Sequence, residues 1–189
     1  NAASLRQELA KEGHVFQTTV DSEVVLSLIA RSRKKTLEER VAEAANAIKG
    51  AFAILIMSND KLIAFRDPYG FRPLCLGRLD HGWVVASETC ALDLVGAHYV
   101  RDIKPGEMIV IDDADKEPTS LMYAQHQPEH RAHCIFEFVY FARPDSIMDG
   151  ESIYLARVNM GRILARETKD IKADIVISVP DSGLSLIHI

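Results

Sequence analysis

The hydrophobic pattern changes period at Gly50, and that change limits the fold more than any other feature of the chain. Before it, apolar residues recur at three- and four-residue steps: Leu5 and Leu9, then Val24, Val25, Leu28 and Ile29, then Leu37, Val41, Ala44, Ala45 and Ile48. Such steps line one face of an α-helix. Helices are therefore expected over residues 1–12, capped by Asn1 and stopped by Gly13, over 22–31, and over 36–50. The last opens on Thr36-Leu37-Glu38-Glu39, a capping box in which each end satisfies an orphan N–H of the other. Residues 14–18 read as a short strand. After Gly50, apolar runs of strand length alternate with turn residues: 51–57, 61–65, 74–79, 83–86, 98–101 and 108–111, with a short helical stretch at 91–95. Helices followed by strands at hairpin spacing give an α+β class with an antiparallel sheet.

Residues 112–131 are polar and hold Pro118 and Pro128, so they read as an outer hairpin or a linker. Beyond them, 135–141 reads as a strand, 151–169 as a long amphipathic helix, and 173–179 as a strand ending on Pro180-Asp181-Ser182-Gly183. A helix followed by an apolar strand with a glycine loop at its carboxyl end is how an open α/β domain begins.

Composition excludes several function classes. Among 189 residues, 48 % are hydrophobic and 26 % charged, the balance of an ordinary globular chain. The formal charge of −5 argues against binding a phosphate backbone, so no nucleic-acid partner is expected. No apolar run approaches the roughly 20 residues of a membrane span, and residues 1–20 do not read as a secretory signal. A cytoplasmic location without membrane partners is expected. Cys75, Cys90 and Cys134 are three cysteines without paired spacing, which gives neither a disulfide framework nor a complete zinc site.

Local chemistry is modest. Asp21 lies between the expected strand and helix, where it reads either as an N-cap or as a carboxylate aimed at an ammonium group. In Arg66-Asp67-Pro68-Tyr69-Gly70-Phe71-Arg72-Pro73-Leu74, two arginines flank a Pro–Gly turn, which reads as a tight turn pinned by an Asp–Arg pair. Ser87-Glu88 follows an apolar strand and could cap a helix while presenting a carboxylate near a cleft. The histidines are scattered, with no metal-pair spacing.

Taken in order, these segments resemble a known family. The strings Thr18-Thr19-Val20-Asp21-Ser22-Glu23, Lys49-Gly50-Ala51-Phe52-Ala53, Phe65-Arg66-Asp67-Pro68 and Val85-Ala86-Ser87-Glu88-Thr89 resemble the glutaminase domain of class II glutamine amidotransferases. Arg101-Asp102, Pro105-Gly106-Glu107, Phe136-Glu137-Phe138-Val139-Tyr140-Phe141-Ala142-Arg143-Pro144-Asp145-Ser146 and Ala156-Arg157-Val158-Asn159-Met160-Gly161 are similar to the amidophosphoribosyltransferase family in particular. The resemblance runs from Asn1 to about Gly183.

It implies an αββα glutaminase sandwich with an N-terminal cysteine nucleophile, joined to an α/β phosphoribosyltransferase domain. Residues 1–128 would belong to the first, without its N-terminal part. Residues 129–189 would be a linking strand and the start of the second. The family hydrolyses glutamine and passes the ammonia to phosphoribosyl pyrophosphate, making 5-phosphoribosylamine for purine synthesis. Its nucleophile and oxyanion-hole residues would precede Asn1, so the segment alone is expected to be inactive. Asp21 matches the family position that binds the α-amino group of glutamine. Cys134 stands where some members carry one of four cysteine ligands of a [4Fe-4S] cluster, and equally where others have a plain core cysteine. Mg2+ would accompany phosphoribosyl pyrophosphate at a site outside this chain, and a homotetramer is implied for the complete protein. Leu186 to Ile189 depart from the family pattern. Two rivals stay open: another class II amidotransferase, and a non-catalytic module that binds glutamine or a protein partner.

Overall fold

The structure, a computed structural model, describes residues 1–126 and 128–179. In chain order the helices and strands are α1 (Ala2–Lys11), α2 (Asp21–Arg31), α3 (Leu37–Ala47), β1 (Ala53–Met57), β2 (Leu62–Arg66), β3 (Cys75–Leu79), β4 (Gly82–Ala86), α4 (Thr89–Val95), β5 (His98–Asp102), β6 (Glu107–Ile111), β7 (Thr119–Met122), β8 (Ile147–Met148), β9 (Glu151–Ser152) and α5 (Ile153–Glu167). They form two compact units, one of Asn1–Arg72 with Ile103–Ala132, the other of Pro73–Asp102 with the described residues from His133 onward. The α+β class is as the sequence predicts.

In the first unit, four antiparallel strands run in the order β1-β2-β6-β7. The polar stretch after residue 111 supplies β7, so its hairpin reading is the one realised. One core joins α2 and α3 to this sheet: Val25 and Ile29, Val41, Ala44 and Ala45 meet Ile63, Phe65, Met108, Val110 and Tyr123. The Phe65 ring sits edge-on to Phe52 and to Tyr123, each at 5.9 Å, a geometry that aromatic quadrupoles favour. The capping box opens α3 as expected, with Glu39 N–H donating to Thr36 Oγ1 and Thr36 N–H to Glu39 Oε2, both at 3.2 Å. Asn1 does not cap α1 with its side chain. Its amide instead donates to Ala47 O at 3.0 Å and accepts from Lys49 N–H at 2.8 Å, tying α1 to the end of α3.

Residues 14–18 form no strand. The N–H groups of Gln17 and Thr18 and the Thr18 carbonyl are taken by side chains from α1 and α2, described below, and His14 N–H goes to Leu9 O, which leaves little for a ladder to join.

In the second unit, β4-β3-β5 make an antiparallel sheet under α4, with Cys75, Leu92 and Ala97 at the contact. Gly77 allows this approach, because a Cβ there would lie 2.8 Å from Leu92 Cδ2. Residues 135–141 are not the strand their aromatic and β-branched content suggests. They are helical, ending in a π-turn over Glu137–Phe141 closed by Ala142 N–H to Glu137 O. The physical cause lies 15 to 20 residues later. Arg157, buried on α5, donates from Nε to Phe138 O and from Nη2 to Ala142 O, both at 2.7 Å, and so satisfies carbonyls that a helix end leaves orphaned. Tertiary context here overrides β-propensity.

The amphipathic helix forms as α5. Residues 173–179 form no strand: among the described residues no strand pairs with them, and Ile175, Val176, Ile177 and Val179 are all exposed. A strand without ladder partners has no hydrogen bonds to hold it. The Pro180 to Gly183 loop and the divergent Leu186 to Ile189 tail lie outside the described residues.

Candidate functional site

The segment 15–20 is built almost entirely from outside itself. Arg6 reaches across from α1, and its guanidinium donates to Thr18 O at 2.8 Å and Val20 O at 2.9 Å while lying 4.1 Å over the Phe16 ring. Glu23, in the first turn of α2, accepts from Gln17 N–H at 2.7 Å, from Thr18 N–H at 2.9 Å and from the Thr18 hydroxyl at 2.7 Å. The two charged groups face each other at 3.8 Å. These bonds, the one from Gln17 N–H foremost and then that from the Thr18 hydroxyl, hold the Glu23 carboxyl below its ordinary range. Below the segment, His14 Nε2 and Ser27 Oγ lie 2.8 Å apart, and Ser27 also donates to Glu23 O.

Asp21 follows at once. It is not the N-cap: that position falls to Val20, which has no capping group, and Asp21 is the first helical residue. The cap reading therefore fails: a capping side chain accepts from an N–H two or three residues further into the helix, and Asp21 makes no such bond. The Asp21 carboxylate is exposed, and no partner is found for it among the described residues. An acidic group at a helix N-terminus sits in a favourable field, and this one is available to an external cation.

The other chemically dense segments are structural. Asp67 is fully buried and accepts from Phe52, Tyr69 and Phe71 N–H. Arg66 donates to the carbonyls of Arg72, Gly70 and Ile103 at 2.6 to 2.9 Å. Each side chain thus pins the turn through backbone groups. Gly70, at φ +68°, is required there, since a Cβ would sit 2.7 Å from Pro105 Cγ. Glu88 precedes α4 without capping it. Its carboxylate accepts instead from Arg143 N–H at 2.7 Å and the Ser146 hydroxyl at 2.8 Å, while Thr89 Oγ1 takes Ile147 N–H. Two strings more than 50 residues apart in sequence are joined in this way.

Cys134 is partly exposed, and its carbonyl accepts from Glu137 N–H at the start of the helical turn. Four thiolates are needed for an iron–sulfur cluster. Among the described residues, no group of three or more Cys, His, Asp or Glu gathers as a metal site. The described residues do not by themselves fit a cluster, and no chemistry is derived through one. Cys75 and Cys90 are both buried. Burial, with the Asp102 charge second, pushes the Cys75 thiol up to about 12.

Sequence reasoning singled out Asp21 and Cys134 but missed Arg6, and it named Glu23 only within a string. Charges on helix faces ordinarily read as solvated, and no local signal pairs residue 6 with residue 23.

A family model described as a glutamine amidotransferase domain matches residues 1–94. The amidophosphoribosyltransferases of Archaeoglobus fulgidus and Bacillus subtilis are each 43 % identical over 98 % of this chain. The chloroplastic amidophosphoribosyltransferase of Vigna aconitifolia is 47 % identical over 97 % of it. The solved glutamine phosphoribosylpyrophosphate amidotransferase from B. subtilis, complexed with ADP and GMP, superposes with a TM-score of 0.91 over 98 % of this chain at 43 % identity. The chain belongs to the amidophosphoribosyltransferase family. It spans about 40 % of the length of the relatives it matches.

Proposed function

We propose that this chain serves as part of an amidophosphoribosyltransferase, in which glutamine is hydrolysed to glutamate and ammonia, and the ammonia displaces pyrophosphate from phosphoribosyl pyrophosphate to give 5-phosphoribosylamine. The first step of de novo purine synthesis is the pathway role that goes with this reading. The observation that carries the site is Asp21, an exposed carboxylate at the first turn of α2 with no partner of its own found among the described residues. Its role is to take the α-amino group of glutamine, a charge-assisted pairing of ammonium with carboxylate. Mg2+ would enter with the pyrophosphate of the second substrate, outside the residues described. Cys134 is at most one ligand of a [4Fe-4S] cluster whose other ligands lie elsewhere, and iron and sulfide analysis of the gene product decides that point. A homotetramer and a cytoplasmic location go with the same reading, though the plant relatives are named as chloroplastic.

The test is Asp21→Asn in the protein as its gene encodes it, with glutamine and then ammonium as nitrogen donor. Losing a charge-assisted bond worth about 1.5–3 kcal/mol raises the glutamine KM by roughly ten- to a hundredfold. An unchanged glutamine KM would remove Asp21 from the site.

A further inference from the structure

We infer that Arg6 and Glu23 are positioning residues that aim the Asp21 carboxylate, and that Thr18 is the link between them. This rests on the glutamine reading of Asp21. Among the described residues the Asp21 carboxylate makes no bond that would fix its direction, so that direction is inherited from the peptide before it. Groups of Gln17, Thr18 and Val20 lead back to the two charged side chains, beside the helix bond from Glu23 N–H to Val20 O. Val20 O accepts from Arg6 at 2.9 Å, and Val20 N–H donates to Thr18 Oγ1 at 3.2 Å. Thr18 Oγ1 in turn donates to Glu23, whose other oxygen holds Gln17 N–H. Thr18 O accepts from Arg6.

The geometry also explains the residue types. Arg6 must bond two carbonyls and lie against the Phe16 ring at once, which a planar guanidinium does and a lysine ammonium cannot. Glu23 must accept three hydrogen bonds on two oxygens, and a glutamine there would turn its NH2 toward an N–H or O–H donor. The stretch is otherwise poorly anchored, with Val15 82 % and Val20 56 % exposed. Hydrophobic burial cannot set its course, so the charged clamp does. A site that must hold a carboxylate to a narrow geometry needs such support behind it.

The experiment uses the gene product with Arg6→Lys, Glu23→Gln, Thr18→Val, Thr18→Ser and, as reference, Asp21→Asn. It measures KM and kcat with glutamine, the rate with ammonium, and thermal unfolding. A misaimed carboxylate weakens ground-state and transition-state binding alike, so the expected result is a glutamine KM raised about tenfold by the first three variants, with kcat held. Thr18→Ser, which keeps the hydroxyl, returns to the parent KM, and the rate with ammonium is unaltered in all four. If Asp21→Asn raises the KM while Arg6→Lys, Glu23→Gln and Thr18→Val leave it within about twofold, the positioning role is wrong and the glutamine reading stands. If Asp21→Asn itself leaves the KM alone, the underlying reading has failed. A joint fall in both rates with an early melt would show a role in folding only, and would overturn the inference.

Discussion

Replacing Asp67 by Asn isolates the energy of one buried carboxylate without changing its shape. Oδ1 accepts from Tyr69 N–H at 2.9 Å and Phe71 N–H at 3.3 Å. Oδ2 accepts from Phe71 N–H at 3.1 Å and Phe52 N–H at 3.3 Å. An asparagine keeps one oxygen and turns the other into a donor. Whichever way it flips, either Tyr69 N–H or Phe52 N–H meets NH2 and loses its acceptor. The loss is one hydrogen bond to a charged group, about 1.5–3 kcal/mol, and a further cost of about 1–3 kcal/mol for donors left unsatisfied. The atoms involved are only partly buried on the N–H side, which brings the expected total to about 3 kcal/mol. Amide exchange read by mass spectrometry on peptides covering β2 and β6 is the assay, since both strands belong to the unit that Asp67 pins. At 1.4 kcal/mol per decade, protection should fall by about a hundredfold. Asp80→Asn, in an exposed turn, should change nothing. A fall of less than about threefold for Asp67→Asn would refute the reasoning, since it would mean the three N–H groups find other acceptors at little cost.

Arg157→Lys keeps the charge but cannot make two directed bonds from one plane, so the turn over Glu137–Phe141 should loosen with a stability loss of about 2–3 kcal/mol. Near-ultraviolet circular dichroism and thermal melting check it, and a parent-like melt would contradict it. The Cys75 thiol, raised to about 12, stays protonated at pH 8 and should resist iodoacetamide, whereas the partly exposed Cys134 is labelled first. Peptide mass spectrometry reads the order, and early labelling of Cys75 would show that its contact with Leu92 and Ala97 opens. Because that pKa lies above its unfolded value near 9, the thiol's contribution to stability is complete below about pH 9 and is lost as pH rises toward 12. Alkaline unfolding followed for Cys75→Ala against the parent should show a flatter pH dependence in the variant.

Much of the fold was legible because its signals are local. The helix faces of α2 and α3, the capping box at Thr36 and the turns at Pro68-Tyr69-Gly70 and Pro105-Gly106 each depend on residues within a few positions of one another. Three strand readings failed, two where side chains of other elements decide the backbone and one where no partner strand is present among the described residues. Arg6 and Glu23 take backbone groups of Gln17 and Thr18 away from a ladder. Arg157 converts an aromatic, β-branched run into helical turns. Residues 173–179 have strand composition but no paired strand among the described residues. The site was legible only in part for the same reason. Asp21 could be chosen by its match to a family string, while the clamp behind it spans two helices and carries no spacing signal. Its rival reading as an N-cap was a matter of one residue, since the helix begins at Asp21 and the cap falls on Val20.

The most direct test of the account is a stoichiometric assay of the gene product with glutamine, phosphoribosyl pyrophosphate and Mg2+. The account predicts glutamate and pyrophosphate in equal amounts, with pyrophosphate release abolished when both glutamine and ammonium are withheld. Glutamine left intact in the presence of phosphoribosyl pyrophosphate, or pyrophosphate released without any nitrogen donor, would contradict it.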